Sequence, residues 1–259
     1  MIPHAADGRH FIKSGPAEAH PRFLAEVDGL AALRATGAAR VPAVIECATD
    51  GTQAWIVLER LDLHALTRAS GAALGGALAQ LHRHVGPHFG WSHDNFIGAT
   101  PQENAPAANW PLFYAQRRLQ PQLARARDNG LGRELYDKGM RLTERIAAFF
   151  VGDHPLASLL HGDLWSGNAS GLSDGTPTIF DPAVYYGDRE ADLAMAELFG
   201  GFPESFYAAY RAAWPLAEGF ATRKELYNLY HVLNHYNLFG AGYLSQARRM
   251  IDRLLAELR

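Results

Sequence analysis

The chain has 259 residues, of which 48% are hydrophobic and 20% charged, and its formal net charge at pH 7 is −3. This composition is that of a globular protein long enough to bury a large core, in one domain or in two lobes. The acidic balance argues against nucleic acid as the main partner, since proteins that bind the phosphate backbone are usually basic.

Cysteine content and apolar runs bear on the cellular location. Cys47 is the single cysteine, which excludes an internal disulfide and a cysteine-based zinc site and favours the reducing cytoplasm. No apolar run approaches the length of a membrane span, and the first residues lack the basic and apolar regions of a secretory signal. We therefore expect a soluble, cytoplasmic protein without a membrane partner.

The first predicted elements are a short strand and a helix. Phe11-Ile12-Lys13 has the character of a strand end, and from Arg22 to about Thr36 apolar residues recur at helical spacing on one face. Glu26 falls inside that face, where an unpaired charge is costly, so this glutamate needs a partner.

Two further strands and several helices follow. Strands are predicted over 41–47 and 55–59, joined by a turn at Asp50-Gly51, and Glu59-Arg60-Leu61 leaves the second of them. Helical patterns cover residues 72–83, 113–127, 132–150, 193–199 and 223–240. Asp192 precedes the helix predicted from Leu193, either as its cap or as a support for a neighbouring loop.

The most informative segment follows the apolar run from Leu156 to Leu160. The loop from His161 to Asn168 places Asp163 and Asn168 five residues apart, and a later strand ends in Asp181. The Asp174-Gly175 dipeptide between these segments favours a hairpin turn, which would return Asp181 to the loop. Carboxylate and amide oxygens that converge in this way suit a hard cation such as magnesium.

The register of this loop resembles the catalytic loop of kinases. In that pattern the loop aspartate accepts the proton of the substrate hydroxyl, and the asparagine and a later aspartate bind Mg²⁺. A lysine on a strand binds the phosphates of the nucleotide and is held in place by a glutamate on a helix. Asp163, Asn168, Asp181, Lys13 and Glu26 occupy these places in the right order. The alternatives are ordinary turn residues, a surface lysine and a half-exposed glutamate.

The same pattern implies a hinge and a division of the chain. Glu59, Arg60 and Leu61 would be the hinge, whose main chain hydrogen-bonds the adenine of ATP. We expect an α+β, two-lobed, protein-kinase-like fold. Its small β-rich N-lobe would comprise residues 1–61, and a larger, mainly helical C-lobe would comprise residues 62–259.

Several longer segments resemble one family in particular, the fructosamine kinases or ketosamine 3-kinases, within the group that includes the aminoglycoside phosphotransferases. The resemblance runs from about Phe11 to Tyr243, and Trp165 in the catalytic loop is its most telling position. The segments that carry it are residues 89–90, 94–98, 100–102, 161–168, 181–187, 190–194, 198–202 and 226–240.

The resemblance implies a substrate and a reaction. ATP would phosphorylate the sugar 3-hydroxyl of a ketoamine, a fructosamine or ribulosamine, either free or on a glycated protein lysine, and the role would be deglycation repair. The residues placed at the substrate by the resemblance and by their polar or aromatic character are Trp165, Asn95, Phe96, Tyr186, Glu190 and His231.

One departure from the family pattern keeps alternatives open. The family has a strand and a glycine-rich turn before its lysine strand, whereas twelve residues precede Lys13 here and residues 6–9 can supply one turn. We expect a truncated N-lobe, which reflects either a sequence shorter than the natural product or a weaker grip on ATP, and an open sheet edge where a homodimer could form. The alternatives are a kinase for an aminoglycoside, choline or a sugar, and a nucleotide-binding pseudokinase.

Overall fold

The computed structural model describes Gly8 and residues 10–258. Its strands are β1 (His10–Pro16), β2 (Val44–Thr49), β3 (Gln53–Glu59), β4 (Asn95–Ile97), β5 (Thr100–Gln102), β6 (Ser158–Leu160), β7 (Ala169–Gly171), β8 (Pro177–Ile179) and β9 (Tyr185–Gly187). Its α-helices are α1 (His20–Ala35), α2 (Arg68–Leu81), α3 (Trp110–Tyr114), α4 (Gln120–Asp128), α5 (Arg133–Glu144), α6 (Glu190–Leu198), α7 (Glu204–Ala213), α8 (Phe220–Phe239) and α9 (Leu244–Glu257). Short 3-10 segments cover Ala17–Ala19, Ile146–Phe150 and Ala241–Tyr243, and a π-helical turn covers Ala115–Leu119.

The chain forms two compact units. The first comprises the described residues up to His84 together with residues 161–184 and 199–215, and the second comprises residues 85–160, 185–198 and 216–258. The lobe boundary expected after Leu61 lies within the first unit. The turn expected over residues 6–9 lies, except for Gly8, outside the described residues.

The first unit contains a three-stranded antiparallel sheet in the order β1-β3-β2. Helix α1 packs against β2 and β3, and the apolar face of this helix is buried at Phe23, Leu30 and Leu33. The predicted turn at Asp50-Gly51 is confirmed. The Asp50 carboxylate accepts two main-chain hydrogen bonds within it, and Gly51 supplies the positive φ of 89°.

The hairpin predicted around Asp174-Gly175 is also present, but with a different first strand. Strands β7 and β8 form it, and Asp174 accepts a hydrogen bond from the N–H of Thr176. The apolar run before the catalytic loop is strand β6, which pairs instead with β9 in the second unit. A three-residue apolar strand fits several partners, so local sequence could not select this one.

The second unit is built around α8, which contacts α4, α6 and α9. Tyr227 lies in its buried centre, where its hydroxyl accepts a hydrogen bond from the Trp110 indole and donates one to Asp188. The Tyr114 hydroxyl donates to the main-chain oxygen of Tyr227. These bonds satisfy the polar ends of large aromatic side chains that fill the core.

The start of α6 corrects one prediction. The helix begins at Glu190 rather than Leu193, so Asp192 lies in its first turn and does not cap it. Asp188 takes the capping position, because its carboxylate accepts a hydrogen bond from the N–H of Glu190 at 3.0 Å. Within the described part of the chain, no helix combines the length and low polarity needed to cross a bilayer.

Candidate active site

Lys13, Glu26 and Asp181 meet in the first unit. The Lys13 Nζ atom lies 2.8 Å from Glu26 Oε1 and also donates to Asp181 Oδ1. Strand β1 presents the lysine, α1 presents the glutamate, and the aspartate follows β8. The glutamate on the apolar face thus has the partner that its position required.

Charge and burial act together on this cluster. Burial lowers the pKa of Lys13, but the two carboxylates outweigh that effect, so the net shift of its pKa is upward and the ammonium stays charged. Burial raises the pKa of Glu26; Lys13 opposes this rise and the charge of Asp181 adds to it. Asp181 is the most exposed of the three, with a side chain that is 42% accessible. The cluster therefore presents a cation beside a reachable carboxylate.

The catalytic loop brings Asp163 and Asn168 together. The Asn168 side-chain N–H₂ donates to the Asp163 main-chain oxygen at 2.9 Å and to Asp163 Oδ2 at 3.2 Å. The same nitrogen lies 3.5 Å from the main-chain oxygen of Asp181. Among the described residues, the Asn168 side-chain oxygen has no hydrogen-bond partner. The amide is held by its nitrogen, which leaves its oxygen available as a ligand.

His161 has a structural role that the sequence pattern does not indicate. This fully buried imidazole accepts a hydrogen bond from the Asp163 N–H at Nδ1, and its Nε2 lies 3.0 Å from the main-chain oxygen of Phe180. Both contacts are satisfied by a neutral ring that carries its proton on Nε2. The ring therefore links the backbone at Asp163 to the residue before Asp181.

Gly162 allows the loop to approach the segment after Asp181. Its φ is 82°, and a Cβ atom there would lie 2.0 Å from the main-chain oxygen of Ala183. The N–H of Ala183 donates to the main-chain oxygen of His161 at 2.8 Å. Glycine is needed here for both conformation and space.

Asp181 itself has an unusual backbone. Its φ is 57°, and it is the one non-glycine residue with a positive φ among the described residues. Aspartate tolerates this region better than most residues, but the conformation is still strained, and such strain is concentrated at functional sites.

A cavity of about 390 Å³ adjoins Asp181 in the first unit. Its size falls within the range of small-molecule sites. Its wall includes all three residues predicted as the hinge: Glu59 ends β3, and Arg60 and Leu61 follow it outside any strand or helix. Glu59 uses its side chain internally, on Arg40 and on the N–H of Ala43. The residues that line the cavity are His10, Phe11, Pro42, Leu58, Glu59, Arg60, Leu61, Leu63, Phe180 and Asp181.

Of the residues predicted at the substrate, Trp165 lies in the first unit with Asp163, and the others lie in the second unit. Asn95 is buried, and its side-chain oxygen accepts hydrogen bonds from Gln102 and Asn104 at 2.8 Å each. Phe96 is half-buried in β4. Tyr186 is half-buried in β9, with its ring centroid 5.3 Å from that of Trp91.

Glu190 and His231 are buried in the second unit. The Glu190 carboxylate pairs with Arg223 at 2.8 Å, and each side chain is 2% exposed. Asp153 lies 3.1 Å from the same guanidinium, so Arg223 supplies the positive charge for a cluster of carboxylates that also includes Asp188. Burial lowers the pKa of His231 to about 3, so this imidazole is neutral.

Comparison with known proteins identifies the family of the chain. The family model described as fructosamine kinase matches residues 2–257. The chloroplastic protein-ribulosamine 3-kinase of Arabidopsis thaliana is 41% identical over 257 residues, which cover 97% of this chain and 78% of that protein. A Vibrio cholerae protein named as a probable ketoamine kinase is 41% identical over 256 residues, or 96% of this chain and 85% of that protein.

Solved structures confirm the predicted protein-kinase-like α+β fold. A crystal structure from Thermobifida fusca, described as that of a fructosamine-3-kinase, has a TM-score of 0.86 and 34% identity, covering 97% of this chain and 87% of that chain. An aminoglycoside phosphotransferase from Streptomyces rimosus, at 17% identity and a TM-score of 0.56, shares the fold over 92% of this chain and 89% of its own. The extent of the family match, together with relatives at about 40% identity, shows that this chain belongs to the fructosamine kinase family.

Proposed function

We propose that this protein is an ATP-dependent kinase that phosphorylates the sugar 3-hydroxyl of a ketoamine, as a step of deglycation repair. The observation that carries the proposal is the meeting of Lys13, Glu26 and Asp181 beside the Asp163–Asn168 pair, within one unit. The names of the relatives, ketoamine kinase and protein-ribulosamine 3-kinase, support the choice of acceptor.

Asp163 would act on the acceptor hydroxyl. Asp163 is half-buried, and its main chain is fixed on one side by His161 and on the other by Asn168. The carboxylate would accept the hydroxyl proton as the sugar oxygen bonds to the γ-phosphorus and ADP leaves. Fixing the loop before substrate arrives lowers the entropic cost of this alignment.

The donor set around Asp181 fits Mg²⁺. The available Asn168 amide oxygen and the exposed Asp181 carboxylate are both hard oxygen ligands, which this ion prefers. We propose that these two residues hold Mg²⁺, which when bound neutralises phosphate charge. Lys13, with Glu26 as its support, would contact the phosphates of ATP.

The cavity of about 390 Å³ would receive the nucleotide base. We propose that the main chain at Glu59, Arg60 and Leu61 hydrogen-bonds the adenine. The flanking Leu58 and Leu63 supply the apolar contact that a planar base requires. Since Asp181 belongs to the same wall, the base and the phosphates would occupy adjacent places in the first unit.

Six residues are proposed to contact the acceptor sugar. Trp165 would contact the sugar through the face of its indole ring. Asn95, Phe96, Tyr186, Glu190 and His231 stay predictions for the remaining contacts. Glycated protein lysine and free ketoamines both belong to the proposed substrate class.

The test is turnover of fructosyl-lysine and ribulosyl-lysine with ATP and Mg²⁺. Wild-type protein should form ADP and a 3-phosphorylated product. Asp163→Asn should lose turnover while nucleotide still raises its melting temperature. The matched control is Asp174→Asn, an exposed change in the β7–β8 turn, which should retain turnover.

Three outcomes would contradict parts of the proposal. Unchanged turnover in Asp163→Asn would refute the mechanism. ADP formation with aminoglycosides, choline or free sugars but not with ketoamines would refute the substrate class. Nucleotide-induced stabilisation without turnover of any acceptor would identify a pseudokinase.

A further inference from the structure

The catalytic loop carries one large aromatic side chain, the indole of Trp165, two residues after Asp163. The residue is half-buried, and its indole N–H has no hydrogen-bond partner among the described residues. Its ring therefore has accessible surface and an unused donor close to the proposed base, and both features suit a sugar.

Two neighbours confine this ring. A Cβ atom at Gly167 would lie 2.4 Å from the Cζ2 and Cη2 atoms of the indole, so the ring lies directly over the glycine. On another side the Phe199 ring meets the indole edge to face, with centroids 6.3 Å apart and planes at 78°. This is a favourable aromatic geometry, so the pair prefers one orientation of the indole.

The position of Phe199 is itself tied to the catalytic loop. Ser166, the residue after Trp165, directs its hydroxyl to the main-chain oxygen of Phe199 at 3.5 Å. Further along this segment the N–H of Phe202 donates to the Tyr207 hydroxyl at 3.0 Å, and the Phe202 ring packs on Phe206. The segment is therefore held at both ends, and Phe199 can act as a fixed support.

We infer that Phe199 is a positioning residue for the acceptor sugar, which it orients through Trp165 and not by direct contact. The inference rests on the proposed function and deepens it, because it assigns part of the ketoamine specificity to an aromatic pair outside the catalytic loop. Gly167 covers one face of the indole, the Phe199 ring holds its orientation through the edge-to-face contact, and the exposed remainder of the opposite face receives the C–H face of the sugar. Loss of the Phe199 ring frees the indole to rotate without removing it.

The experiment compares KM and kcat for fructosyl-lysine and ribulosyl-lysine in wild type, Phe199→Leu and Phe199→Tyr. In Phe199→Leu the KM for the ketoamine should rise roughly two- to tenfold, the range expected for loss of an aromatic pair. The KM for ATP should stay unchanged. Phe199→Tyr, which keeps an aromatic ring at this position, should retain the wild-type KM for the ketoamine. Phe239→Leu is the matched control, since this exposed ring contacts His235 and Tyr243 in the second unit, and its ketoamine KM should not change.

A double-mutant cycle tests whether Phe199 acts through the indole. Once Trp165 is replaced by leucine, adding Phe199→Leu should produce no further rise in the ketoamine KM. A full additional rise would overturn the inference, as would an unchanged KM in the single Phe199→Leu variant. A wild-type protein that turns over no ketoamine would overturn the proposed function and this inference together, whereas active wild type with an unchanged Phe199→Leu KM would overturn the inference alone.

Discussion

Replacing Arg223 by methionine tests whether the buried cluster in the second unit is structural. Arg223 and Glu190 are each 2% exposed and lie 2.8 Å apart, and the guanidinium also pairs with Asp153 at 3.1 Å. The substitution removes the cation and leaves its carboxylate partners in a buried site. Because breaking a buried pair in this way costs about 3–5 kcal/mol, we expect the free energy of unfolding to fall by that amount.

For a chain of this size, the expected fall in the free energy of unfolding lowers the melting temperature by roughly 6–20 °C. Circular dichroism at 222 nm during heating, with urea titration for the free energy, measures both quantities. Arg253→Met is the matched control, because Arg253 pairs with Glu225 with its side chain 65% exposed, and such a pair contributes at most about 1 kcal/mol. Equal stability of the two variants would refute the reasoning.

Variants of Glu190 test the prediction that this residue contacts substrate. If its carboxylate serves mainly to pair with Arg223, Glu190→Leu combined with Arg223→Met should regain part of the lost stability, since apolar groups can replace a buried ion pair. A change in ketoamine KM in Glu190→Gln, with unfolding unaltered, would instead support the substrate role.

Two further predictions concern backbone space and protonation. Gly162→Ala should lower the stability by at least about 2 kcal/mol and abolish turnover, because its Cβ would collide with the Ala183 oxygen. Unfolding and turnover assays check this against Gly130→Ala, since Gly130 also has a positive φ but has open space around it. Burial and the charge of Glu190 raise the pKa of Asp188 to about 7, so its contribution to stability is complete below its unfolded pKa and is lost as pH rises through about 7. Asp188→Asn should therefore flatten the loss of stability between about pH 4 and pH 7, and a pH profile as steep as that of wild type would contradict this assignment.

The parts of the site that sequence could anticipate are those with a local physical requirement. Glu26 lies on an apolar helix face and so required a cation, and Lys13 is the one that it contacts. The Asp-Gly turn required a hairpin, which brings Asp181 back to the loop that carries Asn168. In the first case an unpaired buried charge would be costly, and in the second the Asp-Gly dipeptide favours few backbone conformations. Few structures therefore satisfy either local requirement.

The parts that sequence could not supply depend on distant partners. Arg223 and Glu190 are 33 residues apart on two different helices, and neither helix pattern indicates the other. Because Asp188 caps α6, the helix begins at Glu190, three residues before the predicted start at Leu193. The polar residues before Leu193 are equally typical of a loop, so the sequence pattern did not indicate this start. The proton position on His161 follows only from its contacts with the main chain at Asp163 and Phe180.

The positive φ of Asp181 has a consequence for how this protein would respond to laboratory evolution. A strained backbone at a single aspartate costs on the order of 1–3 kcal/mol, and glycine or asparagine at that position would relieve part of the cost. Libraries screened only for heat resistance should therefore enrich Asp181→Gly and Asp181→Asn, both of which remove the carboxylate of the proposed metal site. Thermostable variants of this chain need to be selected for turnover at the same time, because here the substitutions that favour stability and those that preserve activity are opposed.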